Sequence, residues 1–184
     1  MAPLDGIEKL ASDIVIFNKI MTPAVPIKDI VKKYDLDVIP YNLGDGISGT
    51  LVMENNKGFI GYNPAESKFR QRFTIAHELG HYLLHVKNLL NYKNLQARNI
   101  FVDISYIVKY RSAKNYTPSE WKQEQQANAF AAAILMPIDF IEAELNKPIN
   151  QTMGEGELIE SLAKIFEVSV PAMTFRLNNL NSSR

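Results

Sequence analysis

The 184 residues contain no cysteine. That excludes disulfides, thiolate metal clusters and cysteine nucleophiles, and it leaves His, Asp and Glu as the side chains able to hold a metal. A charge excess of either sign is also missing, because twenty Lys and Arg balance twenty Asp and Glu. A broad electrostatic grip on nucleic acid or on an anionic membrane is therefore not expected. The start, Met1-Ala2-Pro3-Leu4-Asp5-Gly6, has no basic stretch leading into an apolar core, and apolar runs such as Phe130 to Met136 are far shorter than a membrane span. These absences point to a cytoplasmic protein with no membrane segment. With 46% hydrophobic and 22% charged residues, the remaining composition is that of one soluble globular domain with room for a small appendage.

The chain has no internal repeat, so its turn residues divide it. Leu4, Ile7, Leu10, Ile14 and Phe17 recur at helical spacing and predict a helix from Leu4 to Met21, broken by Thr22-Pro23-Ala24-Val25-Pro26. A helix over 27–34 and an extended segment over 38–42 follow. Strands over 50–53 and 58–62 then form a small antiparallel sheet. Asn63-Pro64-Ala65-Glu66 reads as the start of a long helix running to Val86. Residues 99–102 read as a strand and 106–110 as strand or helix. Thr117-Pro118-Ser119-Glu120 is a capping box that opens a helix to Met136, where Pro137 interrupts. After a helix over 138–145, residues 157–166 and 170–180 form two helices of helix-turn-helix proportions with Ser169 as the cap between them. The fold class is thus α+β, mainly helical. Residues 1–150 are expected to form the principal domain, and 151–184 a C-terminal helix-turn-helix-like subdomain packed on it.

His77-Glu78-Leu79-Gly80-His81 is an H-E-x-x-H pattern inside a helix. Four residues is just over one turn, so the two imidazoles stand about 6 Å apart along the axis and about 40° apart around it, able to face one cation. Zinc accepts imidazole nitrogen, and Glu78, rotated off the histidine face, can reach a water on the metal and act as catalytic acid/base. Phe69, Phe73, Ala76, Gly80 and Leu83 give this helix an apolar side, and Gly80 suits the close approach of another element. His85 continues the spacing, yet it would lie about 12 Å along the axis from His77, too far to share the metal directly, and reads as a supporting or structural residue.

A third ligand must come from elsewhere. Glu124 is the best candidate, because Asn128 lies on the same helix face one turn later and can hydrogen-bond a ligand imidazole. Glu120 is the rival, although its place in the capping box already occupies it. Tyr62, Tyr82, Tyr110, Tyr116 and Arg111 are the available donors for a tetrahedral oxyanion, with nothing to choose among them. Direct DNA binding by the C-terminal helix pair is disfavoured, since Arg176 is the sole basic residue from Ser169 to Leu180. Leu162, Ile165, Phe166, Met173, Phe175 and Leu177 instead suit a pair that closes the core.

Two long motifs carry a resemblance. Residues 72–81, Arg-Phe-Thr-Ile-Ala-His-Glu-Leu-Gly-His, and residues 124–137, from Glu124 to Pro137, resemble the ImmA/IrrE metallopeptidases, and the likeness extends over about residues 25 to 180. It implies a gluzincin-like zincin core, with His77, His81 and Glu124 as metal ligands, Glu78 as catalytic acid/base and Asn128 orienting a ligand histidine. It further implies a zinc-dependent endopeptidase that cleaves a helix-turn-helix (Xre-type) repressor protein and so derepresses phage, mobile-element or stress-response genes. The alternative is a zinc-containing antirepressor that sequesters a partner without cutting it. Manganese is accepted by the same ligand types, and only the tetrahedral three-ligand preference favours zinc. Gln126 stands where many relatives carry an acid, and the stretch from His85 to Glu124 is longer than usual, which bears on substrate choice. The sequence leaves the repressor, the activating signal and the oligomeric state open.

Overall fold

Apolar periodicity and turn chemistry account for most of the elements in the computed structural model, which describes residues 4–42, 47–54, 57–87, 104–106 and 117–182. Helix α1 (Leu4–Phe17) buries Ile7, Ala11, Ile14 and Val15. It ends four residues before the expected Met21. The Lys19 N–H donates to the Ile16 carbonyl and the Ile20 N–H to that of Val15, with Lys19 at φ 53°, so the chain closes in a Schellman turn. A lysine in the position that usually takes glycine hides that stop from the sequence, and Phe17, placed on the apolar face by its spacing, is 84% exposed.

Helix α2 (Ile27–Lys32) leads into β1 (Leu36–Pro40), two residues earlier than the extended reading. Strands β2 (Gly49–Glu54) and β3 (Lys57–Tyr62) form the expected hairpin, and β4 (Ile104–Tyr106) pairs antiparallel with β2 over Leu51 to Met53. The sheet order is β1-β3-β2-β4. The sheet is therefore larger than the expected antiparallel one, and mixed. Because β2 pairs with β3 and not with β1, β3 returns beside β1 in the same direction, in register from Leu36 opposite Gly58 to Pro40 opposite Tyr62. Residues 99–102 and 107–110 fall outside the described residues.

The long central helix α3 (Lys68–His81) begins at Ser67, whose hydroxyl accepts from the Arg70 N–H. Asn63-Pro64 does not start it. The Asn63 side chain accepts from the Ala65 N–H in a tight turn, and the Gln71 amide donates to the carbonyls of Pro64 and Glu66. From Thr74 to His81 every residue of α3 is buried, because the helix lies between the sheet and α4 (Pro118–Leu135). Phe69, nearer the start, is 43% exposed and outside that buried stretch. A π-helical turn (Tyr82–Val86) continues α3.

Helix α4 opens with the complete capping box of Thr117 and Glu120. It packs on α3 with one side and on α1 with another, burying Ala127, Phe130, Ala131, Ala133, Ile134 and Leu135. Gly80 sits at the α3–α4 crossing, where an added Cβ would stand 3.1 Å from Phe130 Cδ1 and 3.2 Å from Ala127 Cα. The missing side chain lets the two backbones approach.

The chain closes with α5 (Ile138–Leu145), the short α6 (Pro148–Gln151), α7 (Glu155–Ile165) and α8 (Val170–Ser182). Helix α7 ends in a second Schellman turn at Glu167, φ 52°, and Ser169 accepts from the Ala172 N–H as its expected capping role requires. Leu162, Phe166 and Met173 join the same hydrophobic core as Ile75 and Phe130. Phe175 does not, being 66% exposed. Arg176 is buried instead: Nε donates to the Met136 carbonyl at 3.1 Å, and the two Nη atoms grip the Glu8 carboxylate.

Two outcomes follow for stability. Gly80→Ala gains about 1 kcal/mol of helix propensity but overpacks a backbone contact at a cost of about 1–3 kcal/mol, so a net loss and a lower thermal midpoint are expected; a stabilised variant would contradict the close crossing. Arg176→Met leaves the Met136 carbonyl without its donor, while half-exposed Glu8 regains water, so a loss of about 2 kcal/mol in urea unfolding is expected; an unchanged midpoint would contradict that tie.

Candidate metal centre

Helices α3 and α4 run antiparallel past one another, and this sets the polar residues of one against those of the other. His77 Nδ1 donates to Asn128 Oδ1 at 2.9 Å. With that proton fixed on Nδ1, the Nε2 lone pair of His77 points away from Asn128. It meets His81 Nε2 at 3.0 Å, while Glu124 places Oε2 3.4 Å from His77 Nε2 and Oε1 3.2 Å from His81 Nε2. His77 and His81 are buried, and Glu124 is mostly so.

One proton at most fits between the two facing Nε2 atoms, whereas a cation there would satisfy both and the carboxylate as well. Tetrahedral zinc with bonds of about 2.0–2.1 Å separates its ligand atoms by about 3.3 Å, close to the distances found here. His77, His81 and Glu124 can thus hold a metal ion, their ligand atoms all lying within 4.8 Å of one another. The electrostatics fit the same donor set. Burial, together with the neighbouring His77, draws the pKa of His81 down against the pull of Glu124 and favours the neutral ring. Burial opposes ionisation of Glu124, yet the two imidazoles it faces outweigh that and hold its pKa at about 2. Neutral imidazole and ionised carboxylate are the forms that coordinate.

Glu78 is fully enclosed. Burial first, and then the charge of Glu124, push its pKa well up, and its buried Oε2 has no hydrogen-bond partner among the described residues. Its Oε1 lies beside the first residue of β2, since a Cβ on Gly49 would stand 3.1 Å from that oxygen and 2.2 Å from Thr74 Cγ2. Gly49 and Thr74 are the neighbours that sequence reasoning missed. Gly49 reads in sequence as one more turn glycine, and nothing local shows that its bare Cα admits the Glu78 carboxylate.

Glu120, the rival third ligand, is exposed, and its Oε2 accepts from the Thr117 N–H at 2.7 Å and from the Thr117 hydroxyl at 2.8 Å. Among the oxyanion candidates, the Tyr62 hydroxyl is bound to Lys28 Nζ and Tyr82 packs edge-on against Tyr34. Tyr110, Arg111 and Tyr116 lie outside the described residues. Among the described residues no helix is long and apolar enough to cross a membrane.

Comparison with known proteins agrees with this picture. No curated protein matches the chain. A solved structure of a Mycobacterium tuberculosis transcriptional regulator is similar in fold, with a TM-score of 0.61 and 14% identity over 93% of this chain. The chain spans 46% of that protein's length. The family model of peptidase M78, described as the IrrE N-terminal-like domain, matches residues 31–178. With a match over most of its length, and a His-His-Glu group able to hold a metal, this chain belongs to the ImmA/IrrE metallopeptidase family.

Proposed function

We propose that this chain is a zinc-dependent endopeptidase of gluzincin-like core that cleaves a helix-turn-helix repressor protein and thereby derepresses its target genes. One observation carries the reading: the imidazoles of His77 and His81 and the carboxylate of Glu124 converge at ligand spacing beside a buried, unpartnered Glu78 oxygen. When bound, the cation supplies Lewis-acid chemistry, polarising a carbonyl and lowering the pKa of a coordinated water. Zinc is preferred to manganese because the donor set is two nitrogens and one carboxylate, the open three-ligand pattern of catalytic zinc.

In this reading His77 and His81 ligate through Nε2 and Glu124 through its carboxylate, and Asn128 keeps the proton of His77 on Nδ1. Glu78 takes the proton of the attacking water on Oε2, the oxygen with no other partner, and passes it to the leaving amine. Burial, which raises its pKa, favours the protonated form that Glu78 takes between accepting the proton and returning it. Residues 151–184 serve as a subdomain packed on the peptidase core. DNA contact by α8 is disfavoured because its one cationic side chain, Arg176, is spent on Glu8 and on the Met136 carbonyl. The name of the similar solved structure, a transcriptional regulator, is consistent with a role in gene control.

Metal content per chain, measured on protein purified without chelator, should be about one zinc for the wild type and far less for Glu124→Ala. Equal zinc in both would remove Glu124 from the centre. Incubated with a panel of helix-turn-helix (Xre-type) repressors, the zinc-loaded chain should cut one of them into two discrete fragments. Glu78→Gln should keep its zinc and lose at least about 100-fold in rate. An intact repressor held in a stable complex would favour the sequestering antirepressor instead.

A further inference from the structure

The third histidine is the feature that the proposed mechanism leaves without a task. In an unbroken α-helix each step of four residues drifts about 40° around the axis, which would leave His85 about 80° from His77. The helix changes character immediately after His81: Tyr82–Val86 is a π-helical turn, closed by the Lys87 N–H donating to the Tyr82 carbonyl. A π turn takes more residues per revolution and swings His85 back toward the ligand side, and such single turns recur at functional sites.

Two contacts define where the ring arrives. Its centroid is 5.5 Å from that of His81, with the planes inclined at 56°. It hydrogen-bonds the backbone of Gln123, the residue before Glu124. Its buried Nε2 has no partner among the described residues, so the bond to Gln123 runs through Nδ1.

The need for such a tie is visible in α4. From Pro118 to Lys122 its side chains are exposed, and full burial begins only at Gln126. Glu124 therefore sits between the exposed first turns of α4 and its buried middle, next to Gln123. We infer that His85 is a positioning residue of the metal centre: by bridging the π turn of α3 to the carbonyl of Gln123, it fixes the backbone that presents Glu124 to His77 and His81. The inference rests on the metal-centre reading above.

The test is metal affinity, read without any substrate. Wild type, His85→Phe, His85→Asn and Glu124→Ala are titrated with Co2+ against a chromophoric chelator, with the visible spectrum of each cobalt-loaded form recorded and far-UV circular dichroism checking the fold. Asparagine places an N–H close to where Nδ1 stands, and phenylalanine keeps a ring but offers no donor. His85→Phe should bind 10- to 100-fold more weakly than wild type, about the effect of losing a group that orients a ligand, and with an altered cobalt spectrum. His85→Asn should recover most of the affinity. Wild-type affinity in His85→Phe, or His85→Asn no tighter than His85→Phe, overturns the inference. If the phenylalanine variant does not fold, His85→Gln replaces it, its donor standing further out; binding as tight as in His85→Asn then overturns the inference. A wild type that binds cobalt no better than Glu124→Ala contradicts the metal centre itself, whereas a clear difference between those two with indifferent His85 variants contradicts this inference alone.

Discussion

The crossing of α3 and α4 at Gly80 and Ala127 is the constraint on which the remainder of the site depends. No two ligands from α3 alone complete a metal site, and the third comes from a helix whose approach is limited by whatever side chain stands between the backbones. At position 80 there is none. The gap lets Phe130 and Ala127 pack directly on α3, and the same antiparallel alignment sets Asn128 against His77 and Glu124 against His81. One glycine thus links packing to chemistry. The run of alanines in α4 works in the same direction, giving that helix a narrow waist against both α3 and α1.

Helix α3 is buried on all sides from Thr74 onward while carrying two imidazoles and a carboxyl group. Burying such groups is costly unless each is paired, and the pairing found is only partly internal. Asn128 satisfies His77 Nδ1, and Glu124 faces both Nε2 atoms, but the two Nε2 atoms confront each other and one oxygen of Glu78 has no hydrogen-bond partner among the described residues. A cation and a water relieve both deficits at once. The polar interior of α3 is therefore understandable as a site held open by the fold, with the start of β2 at Gly49 beside Glu78 and α4 facing the histidines.

What was legible in the sequence was whatever rests on local rules. The H-E-x-x-H spacing, the capping box at Thr117, the β2–β3 hairpin and the cap at Ser169 depend on residues within a turn or two of one another, and each stands where its pattern placed it. Contacts set by tertiary packing were less legible. The two Schellman turns use lysine and glutamate where glycine is usual, so α1 reads four residues too long. Asn63-Pro64 carries the signals of a helix start, yet its side chain closes a separate turn and Ser67 caps the helix. The parallel pairing of β1 with β3 depends on strand order, which alternation cannot reveal. Glu124 and Glu120 were not separated by spacing alone; the geometry separates them, because one faces the histidines and the other folds back on Thr117. Arg176, which the sequence shows only as the lone basic residue of the last helix, is a buried tie between α8, α1 and the end of α4.

The central claim is that two histidines of α3 and one carboxylate of α4 form a single cation site. X-ray absorption at the zinc edge, on protein loaded with one equivalent of zinc, addresses it most directly. The account predicts scattering from two imidazoles at about 2.0–2.1 Å with the remaining ligands oxygen at about 2.0–2.2 Å, four in all. A spectrum with one imidazole or none, or with a six-oxygen shell, would contradict it.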